Sequence, residues 1–330
     1  MLKSFAIAVL SFFLSLYLVP KAIEIARKFN IMDVPDGRLK KHSKPVPYLG
    51  GVALYLSFLF PLSIVYDLNP EIVAILLSST IILFVGFVDD LARISPGAKF
   101  MGELVAVWIL VRAGVHIKIA ALPQGVNYAL TVLWLLTLIN AFNFLDIRDG
   151  LAGGIGFFSA LGLSSIAIYF REANTSMIGL ALAGALLGFL LFNLPPAEIY
   201  MGDAGSLLLG FIIGAIAIIV DYTAINPIGY FIPIVVLWVV LFEIAFTFTV
   251  RVLKGRSPFK GSLDHFPLRL EKLLKSSEKS LVVILAMQFI LSCGGFAMIF
   301  AGITTTVVVL ISLAFVSLVF SFILYRKEAV

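Results

Sequence analysis

Residues Phe84–Lys99, FVGFVDDLARISPGAK, decide how this chain is to be read. The mostly apolar stretch from Glu71 to Val88 leads into them, about eighteen residues, enough to cross a bilayer as a helix. It ends in two adjacent carboxylates, Asp89 and Asp90. Negative charge at a lipid–water boundary is costly unless cations, hydrogen-bond donors or a metal wait there. Four other polar segments of the chain offer such partners.

The whole composition agrees with a membrane helix at this point. The chain is 61% hydrophobic and 13% charged, with a mean hydropathy of +1.09, whereas a soluble domain is roughly half apolar and a quarter charged. We therefore expect an all-α, polytopic integral membrane protein forming one domain over 1–330. Apolar segments fall at 2–22, 50–68, 71–88, 101–120, 126–142, 151–170, 175–193, 204–221, 226–250, 281–301 and 303–325. That gives about eleven transmembrane helices, with ten as the lower count. The fourth is the weakest, because Arg112, Gly114 and His116 interrupt it. The first resembles a signal peptide but lacks a small-residue cleavage site, so it is read as a span.

Lys and Arg test the sidedness. If 21–49 is placed on one side and the segments alternate, only Lys3, Arg112, Lys118 and Arg171 of the 24 basic residues fall on the other. Basic residues collect in the cytoplasm, so the N-terminus is expected outside and the C-terminus inside. Dropping one internal span would scramble this asymmetry. Most acidic residues share the basic side, which places function in the cytoplasmic loops 23–49, 89–100, 143–150, 194–203 and 251–280.

The first of these loops carries Arg38, Lys40, Lys41, His42 and Lys44 within a Pro/Gly frame ending at Gly50 and Gly51. It can capture a phosphate or merely face anionic headgroups. Asp89 and Asp90 can bind a divalent cation or accept a proton. Adjacent helical residues point about 100° apart, so a division of labour is expected. In NAFNFLDIRDGLAGG, Asn143, Asp146 and Asp149 share a face if the helix continues. Asp203, in YMGDAGS, opens the eighth span either as an N-cap or as a cation ligand. Glu243 lies inside the ninth span and is expected to pair with a polar neighbour. In the last loop, Arg256 and His265 can hold a diphosphate and Phe259 or Phe266 can stack on a base; an amphipathic interfacial loop is the plainer reading. Three His make no zinc site, and P-loop, nucleophile-elbow and dinucleotide fingerprints are missing. Cys293 is the single cysteine, so the chain has no internal disulfide. Carboxylates, Asn and basic loops fit Mg²⁺-assisted phosphoryl chemistry.

DVPDGRLKKHSKPVPYLGG, the VDD pair, NAFNFLDIRDGLAGG, MGDAGSLLLGF and GRSPFKGSLDH occur in this order. The set resembles the polyprenyl-phosphate N-acetylhexosamine-1-phosphate transferases (glycosyltransferase family 4). It is most similar to the branch that transfers N-acetylglucosamine-1-phosphate to undecaprenyl phosphate. The resemblance covers about residues 30–270. It implies an enzyme in which a lipid monophosphate attacks the β-phosphate of a UDP-sugar, UMP leaves, and Mg²⁺ (or Mn²⁺) is required. The product would open a cell-envelope polysaccharide pathway at the inner membrane. By position, the resemblance makes Asp89 and Asp90 the catalytic pair and Asp203 and Asp146 metal ligands. Asn143, Asp149, Lys99, His265, Arg256, Arg38, Lys41 and His42 become substrate-binding residues. It implies a UDP-sugar donor and an undecaprenyl phosphate acceptor, is compatible with a homodimer, and gives no reason to expect nucleic acid. Three departures stand out. Ile147-Arg148 replace a Gly-containing pair, Leu268 stands where a second His is usual, and Glu243 stands where Asp is expected. None touches Asp89, Asp90 or Asp203, so an active enzyme is expected. The alternatives are the phospho-N-acetylmuramoyl-pentapeptide transferase branch, an ion- or proton-coupled transporter, and a lipid-binding scaffold without chemistry. A transporter would place its charges near the bilayer midplane on broken helices.

Overall fold

The computed structural model describes residues 2–33, 45–65, 69–257 and 262–326. Among them the chain is almost entirely helical, as expected of a backbone that must satisfy its own hydrogen bonds in lipid. In order, the helices are α1 (Leu2–Lys28), α2 (Gly50–Val65), α3 (Pro70–Ala92), α4 (Pro96–Arg112), α5 (Gln124–Leu145), α6 (Leu151–Tyr169) and α7 (Ala173–Asn193). There follow α8 (Gly202–Ile219), α9 (Ile232–Val236), α10 (Trp238–Leu253), α11 (Phe266–Leu274), α12 (Ser277–Ala297) and α13 (Ile303–Arg326). Among the described residues eight are long and apolar enough to cross a membrane, or nine if the pair α9–α10, bent by 70°, is one span. The protein is therefore a multi-pass membrane protein.

Each of the eleven apolar segments corresponds to a helix or to the bent pair, with three differences. The second segment gives only the 16 residues of α2. The fourth, read as 101–120, becomes α4 at 96–112, because the chain leaves the helix beyond Arg112 and turns at Gly114, whose φ is +93°. The helical face drawn through Asn143, Asp146 and Asp149 is also corrected. The helix α5 ends at Leu145, Asp146 sits at its C-cap and Asp149 lies in the turn before α6. Two features were not anticipated. A two-stranded antiparallel ribbon pairs β1 (Met32–Asp33) with β2 (Val46–Pro47), and α11 is a short amphipathic helix.

Sequence-local chemistry sets the ends that matter. Asn69 caps α3 by accepting from the Ile72 amide, with Pro70 in the first turn. After Asp89 and Asp90 the chain breaks at Arg93, which is left-handed (φ 48°). Ser95 then caps α4, again with Pro in the first turn. The acidic pair is thus followed by a tight reversal that brings Lys99 back beside it.

The core is built around α8, most of which is buried, while α13 buries only Thr306 and Leu324 and lines the periphery. Small residues let α8's neighbours come backbone to backbone. A Cβ on Gly86 of α3 would lie 2.5 Å from the Ala204 amide nitrogen, and one on Gly210 would lie 2.4 Å from the Leu138 carbonyl of α5. Without water to drive association, such close packing is what holds membrane helices together.

Replacing Gly86 by Val is therefore expected to push α3 off α8. Overpacking of this kind costs about 1–3 kcal/mol or more. The thermal midpoint of the detergent-purified protein should fall sharply. Gly97→Ala, where a Cβ meets nothing within 4 Å, should leave it unchanged or slightly raised. Equal midpoints for the two variants would refute the close α3–α8 contact.

Candidate active site

The end of α3, the start of α4, the end of α5 and the start of α8 meet at one place. The Asp90 carboxylate accepts hydrogen bonds from the backbone amides of Asp203 (2.9 Å) and Ala204 (3.1 Å), the first turn of α8. These amides have no partner inside the helix, and the helix dipole favours an anion there. The N-cap role offered to Asp203 therefore falls to Asp90, 113 residues away in sequence. Gly202 makes this possible. Its φ is +68°, and a Cβ on it would sit 2.5 Å from Asp90 Oδ2, so no other residue fits without displacing the carboxylate.

With Asp90 committed to α8, Asp89 points elsewhere. It accepts from the Ile94 amide (3.0 Å) and from Lys99 Nζ (3.0 Å). Lys99 also donates to Asp203 in a very short contact, so one ammonium bridges two carboxylates. Asn143 donates to Asp203 Oδ1 (2.9 Å) and to Ser206 Oγ (3.0 Å). Partly buried Asp146 lies beside this group. Burial, followed by the negative charges of Asp203, Asp90 and Asp149, pushes its carboxyl well above the ordinary range.

Asp149 accepts from the Ala197 amide at 2.9 Å and so ties the α5–α6 turn to the segment before α8. That segment is zipped to the entrance of α2: the Gly50 amide donates to the Tyr200 carbonyl and the Gly51 amide to that of Met201, each at 3.0 Å. Arg38, Lys41 and His42 lie outside the described residues.

The last loop forms a second cluster. His265 Nδ1 is 2.5 Å from the buried carboxylate of Glu243, and its ring meets Phe144 edge-on at 5.6 Å. Phe144 is the residue after Asn143, and Arg251 lies 5.0 Å over its ring, so the two clusters adjoin. Glu243 thus has the polar neighbour expected of it. Arg256 donates to Asp264 (3.2 Å), as do Lys254 (2.6 Å) and Arg269 (3.0 Å), but its side chain stays 59% exposed. Burial would raise the Asp264 carboxyl, but bonds from Lys254, Ser262 and Arg269 outweigh it and hold the group at about 2.

Some residues of this region escaped the sequence reading. Glu103, buried on α4 one turn beyond Lys99, accepts from Asn140 at 2.9 Å. Arg148, noted only as a departure, donates to Glu271 of α11 at 2.7 Å. The signal for Glu103 was there, an acid i+4 from Lys99 in an apolar segment.

Among the described residues no three Asp, Glu, His or Cys side chains form a ready-made metal cage. Mg²⁺ seldom needs one; one or two carboxylates with water and substrate phosphates usually suffice. Asp203 and Asp146 suit that role. Both are hard oxygen donors, and Asp146 sits among like charges that a divalent cation would neutralise.

Comparison with known proteins points the same way. The family described as "Glycosyl transferase family 4" matches residues 72–221. The chain is 31% identical over 290 residues to a "Probable undecaprenyl-phosphate N-acetylglucosaminyl 1-phosphate transferase" of Bacillus subtilis, covering 84% of this chain and 80% of that protein. It is 32% identical to an "Undecaprenyl-phosphate alpha-N-acetylglucosaminyl 1-phosphate transferase" of Thermotoga maritima, over 78% of this chain and 77% of the relative. A "Phospho-N-acetylmuramoyl-pentapeptide-transferase" of Nautilia profundicola is 32% identical over 64% of this chain and 71% of its own length.

Two outcomes follow from the geometry. Asp90→Ala should cost about 1–2 kcal/mol as a lost helix cap and lower the thermal midpoint. Asp89→Ala should shift it far less, since Lys99 keeps Asp203. For Asp264 the folded carboxyl titrates below the unfolded value of about 3.9, so its contribution holds above pH 4 and is lost as pH falls toward 2. Hydrogen exchange of residues 262–274 should rise across that window in the wild type. Asp264→Asn should exchange faster already at neutral pH and show no such step.

Proposed function

The chain belongs to glycosyl transferase family 4, and we propose that it transfers N-acetylglucosamine-1-phosphate from UDP-N-acetylglucosamine to undecaprenyl phosphate. The observation that carries this reading is the junction where Asp89, Asp90, Lys99, Asn143 and Asp203 meet at the N-terminus of a membrane helix. A greasy phosphate acceptor and a water-soluble nucleotide donor have to meet at such a boundary. A transporter would need its charges deeper in the bilayer.

In the proposed reaction an oxygen of the lipid phosphate attacks the β-phosphorus of the donor. A new P–O bond forms as the bond to the bridging oxygen breaks, and UMP leaves with that oxygen. The lipid phosphate needs little help to ionise near pH 7, its second pKa being about 6 by analogy with phosphoserine. Asp89, whose carboxylate is not spent on the α8 amides, faces this phosphate and takes any remaining proton. Asp90 holds α8 in place. Lys99 supplies positive charge between the carboxylates, and Asn143 orients Asp203. Mg²⁺, or Mn²⁺ in its place, would be held by Asp203 and Asp146 and would neutralise charge on the donor phosphates. His265 and Arg256, with Arg38, Lys41 and His42 of the first loop, contact the donor's anionic groups, and Asp149 keeps the nucleotide side in register. The basic residues favour eleven spans, the N-terminus outside and this site in the cytoplasm of the plasma membrane. There the product would start a cell-envelope polysaccharide.

The muramoyl-pentapeptide relative keeps a second donor in view. Purified protein given undecaprenyl phosphate, Mg²⁺ and either UDP-N-acetylglucosamine or UDP-N-acetylmuramoyl-pentapeptide should release UMP with the first donor only. Asp203→Asn should lose at least 100-fold of that rate. UMP from the second donor alone would move the enzyme to the other branch. UMP from neither, nor from a panel of UDP-sugars, would refute the transferase reading.

A further inference from the structure

We infer that Glu243 is a positioning residue for the donor site, acting through His265 and Arg251. It is fully buried in the first half of α10, and three donors converge on its carboxylate. Thr247 Oγ1 lies 2.8 Å and His265 Nδ1 2.5 Å from Oε1, and the Phe266 amide lies 3.1 Å from Oε2. A carboxylate only accepts, so His265 carries its proton on Nδ1 and turns Nε2 away from Glu243. Nε2 lies 3.4 Å from an Arg251 guanidinium nitrogen. Arg251 is held in turn by Ser262 Oγ (3.0 Å) and by the face of Phe144. One buried acid thus fixes the tautomer and ring plane of a histidine, and the histidine fixes the edge of an arginine. All of this stands next to Asn143. Histidine ligands in metal sites are oriented by buried carboxylates in the same manner, and removing that carboxylate typically costs 10–100-fold in affinity or activity. The missing second His of this loop, Leu268, leaves the donor more dependent on the single His265.

The inference rests on the proposed transfer reaction for its kinetic part only. Glu243→Gln separates positioning from folding, because an amide oxygen still accepts from the Phe266 amide while one oxygen able to receive the Nδ1 proton is lost. In UMP-release assays it should raise the KM for the UDP-sugar and lower kcat/KM about 10–100-fold, with the KM for lipid phosphate unchanged. Glu243→Asp should recover part of the loss. In a His265→Asn background, Glu243→Gln should change the rate less than twofold. A full further loss in that background, or an equal rise in both KM values, would overturn the inference. Independently of activity, the chain has only three His, so ¹⁵N-histidine NMR can resolve the tautomers, with His265→Asn as the assignment. Wild type should show the Nδ1–H form of His265 and Glu243→Gln should lose it. An unchanged tautomer would refute the inference even if no donor is turned over, whereas a failed donor panel with the tautomer shift present would refute only the transfer reaction.

Discussion

The pairing of the Asp90 carboxylate with the first amides of α8 is the contact on which the rest of the site depends. It meets two needs with one group. The unpartnered amides of a helix start gain acceptors where water is scarce, and a carboxylate at the membrane boundary gains donors and a favourable dipole. Because α3 and α8 are joined there, successive residues of α3 are sent in different directions. Asp90 goes to α8, and Asp89 goes to the reversal at Arg93 and to Lys99. Lys99 then reaches the side chain of Asp203, whose own amide Asp90 holds. The cluster is the outcome of one helix docking on another's end.

That docking requires α3 and α8 to approach without side chains between them, which is why Gly86 and Gly202 sit where they do. Two further ties keep the neighbouring segments in register. Asp149 fastens the α5–α6 turn to the Ala197 amide, and the Tyr200–Met201 backbone is zipped to Gly50 and Gly51. Much of the polarity of these loops is thus spent on building the site. Arg148, which departs from the family pattern, works in the same way by reaching Glu271 of α11.

The sequence made the helices legible because lipid forces long apolar segments with polar breaks, and each of the eleven segments has a helical counterpart. The split roles of Asp89 and Asp90 were also legible, since adjacent helical residues cannot face one point. What the sequence hid was long-range pairing. Nothing local says that Asp90 caps a helix 113 residues away, that Glu103 meets Asn140, or that Lys254, Arg256 and Arg269 share Asp264. The face drawn through Asn143, Asp146 and Asp149 failed for a local reason: the helix stops at Leu145, and Gly150, with φ +71°, starts the next one. The pairing of Glu243 was expected, but its partner could be identified only once α10 and the last loop were seen together.

The central claim is that the α3–α8 junction assembles a site for a divalent cation and the phosphates it accompanies. Mn²⁺ binding to the purified protein, followed by electron paramagnetic resonance with and without UDP, tests it most directly. The account predicts one site in the wild type, strengthened by UDP and lost in Asp203→Asn. Equal Mn²⁺ binding by the wild type and Asp203→Asn would contradict it.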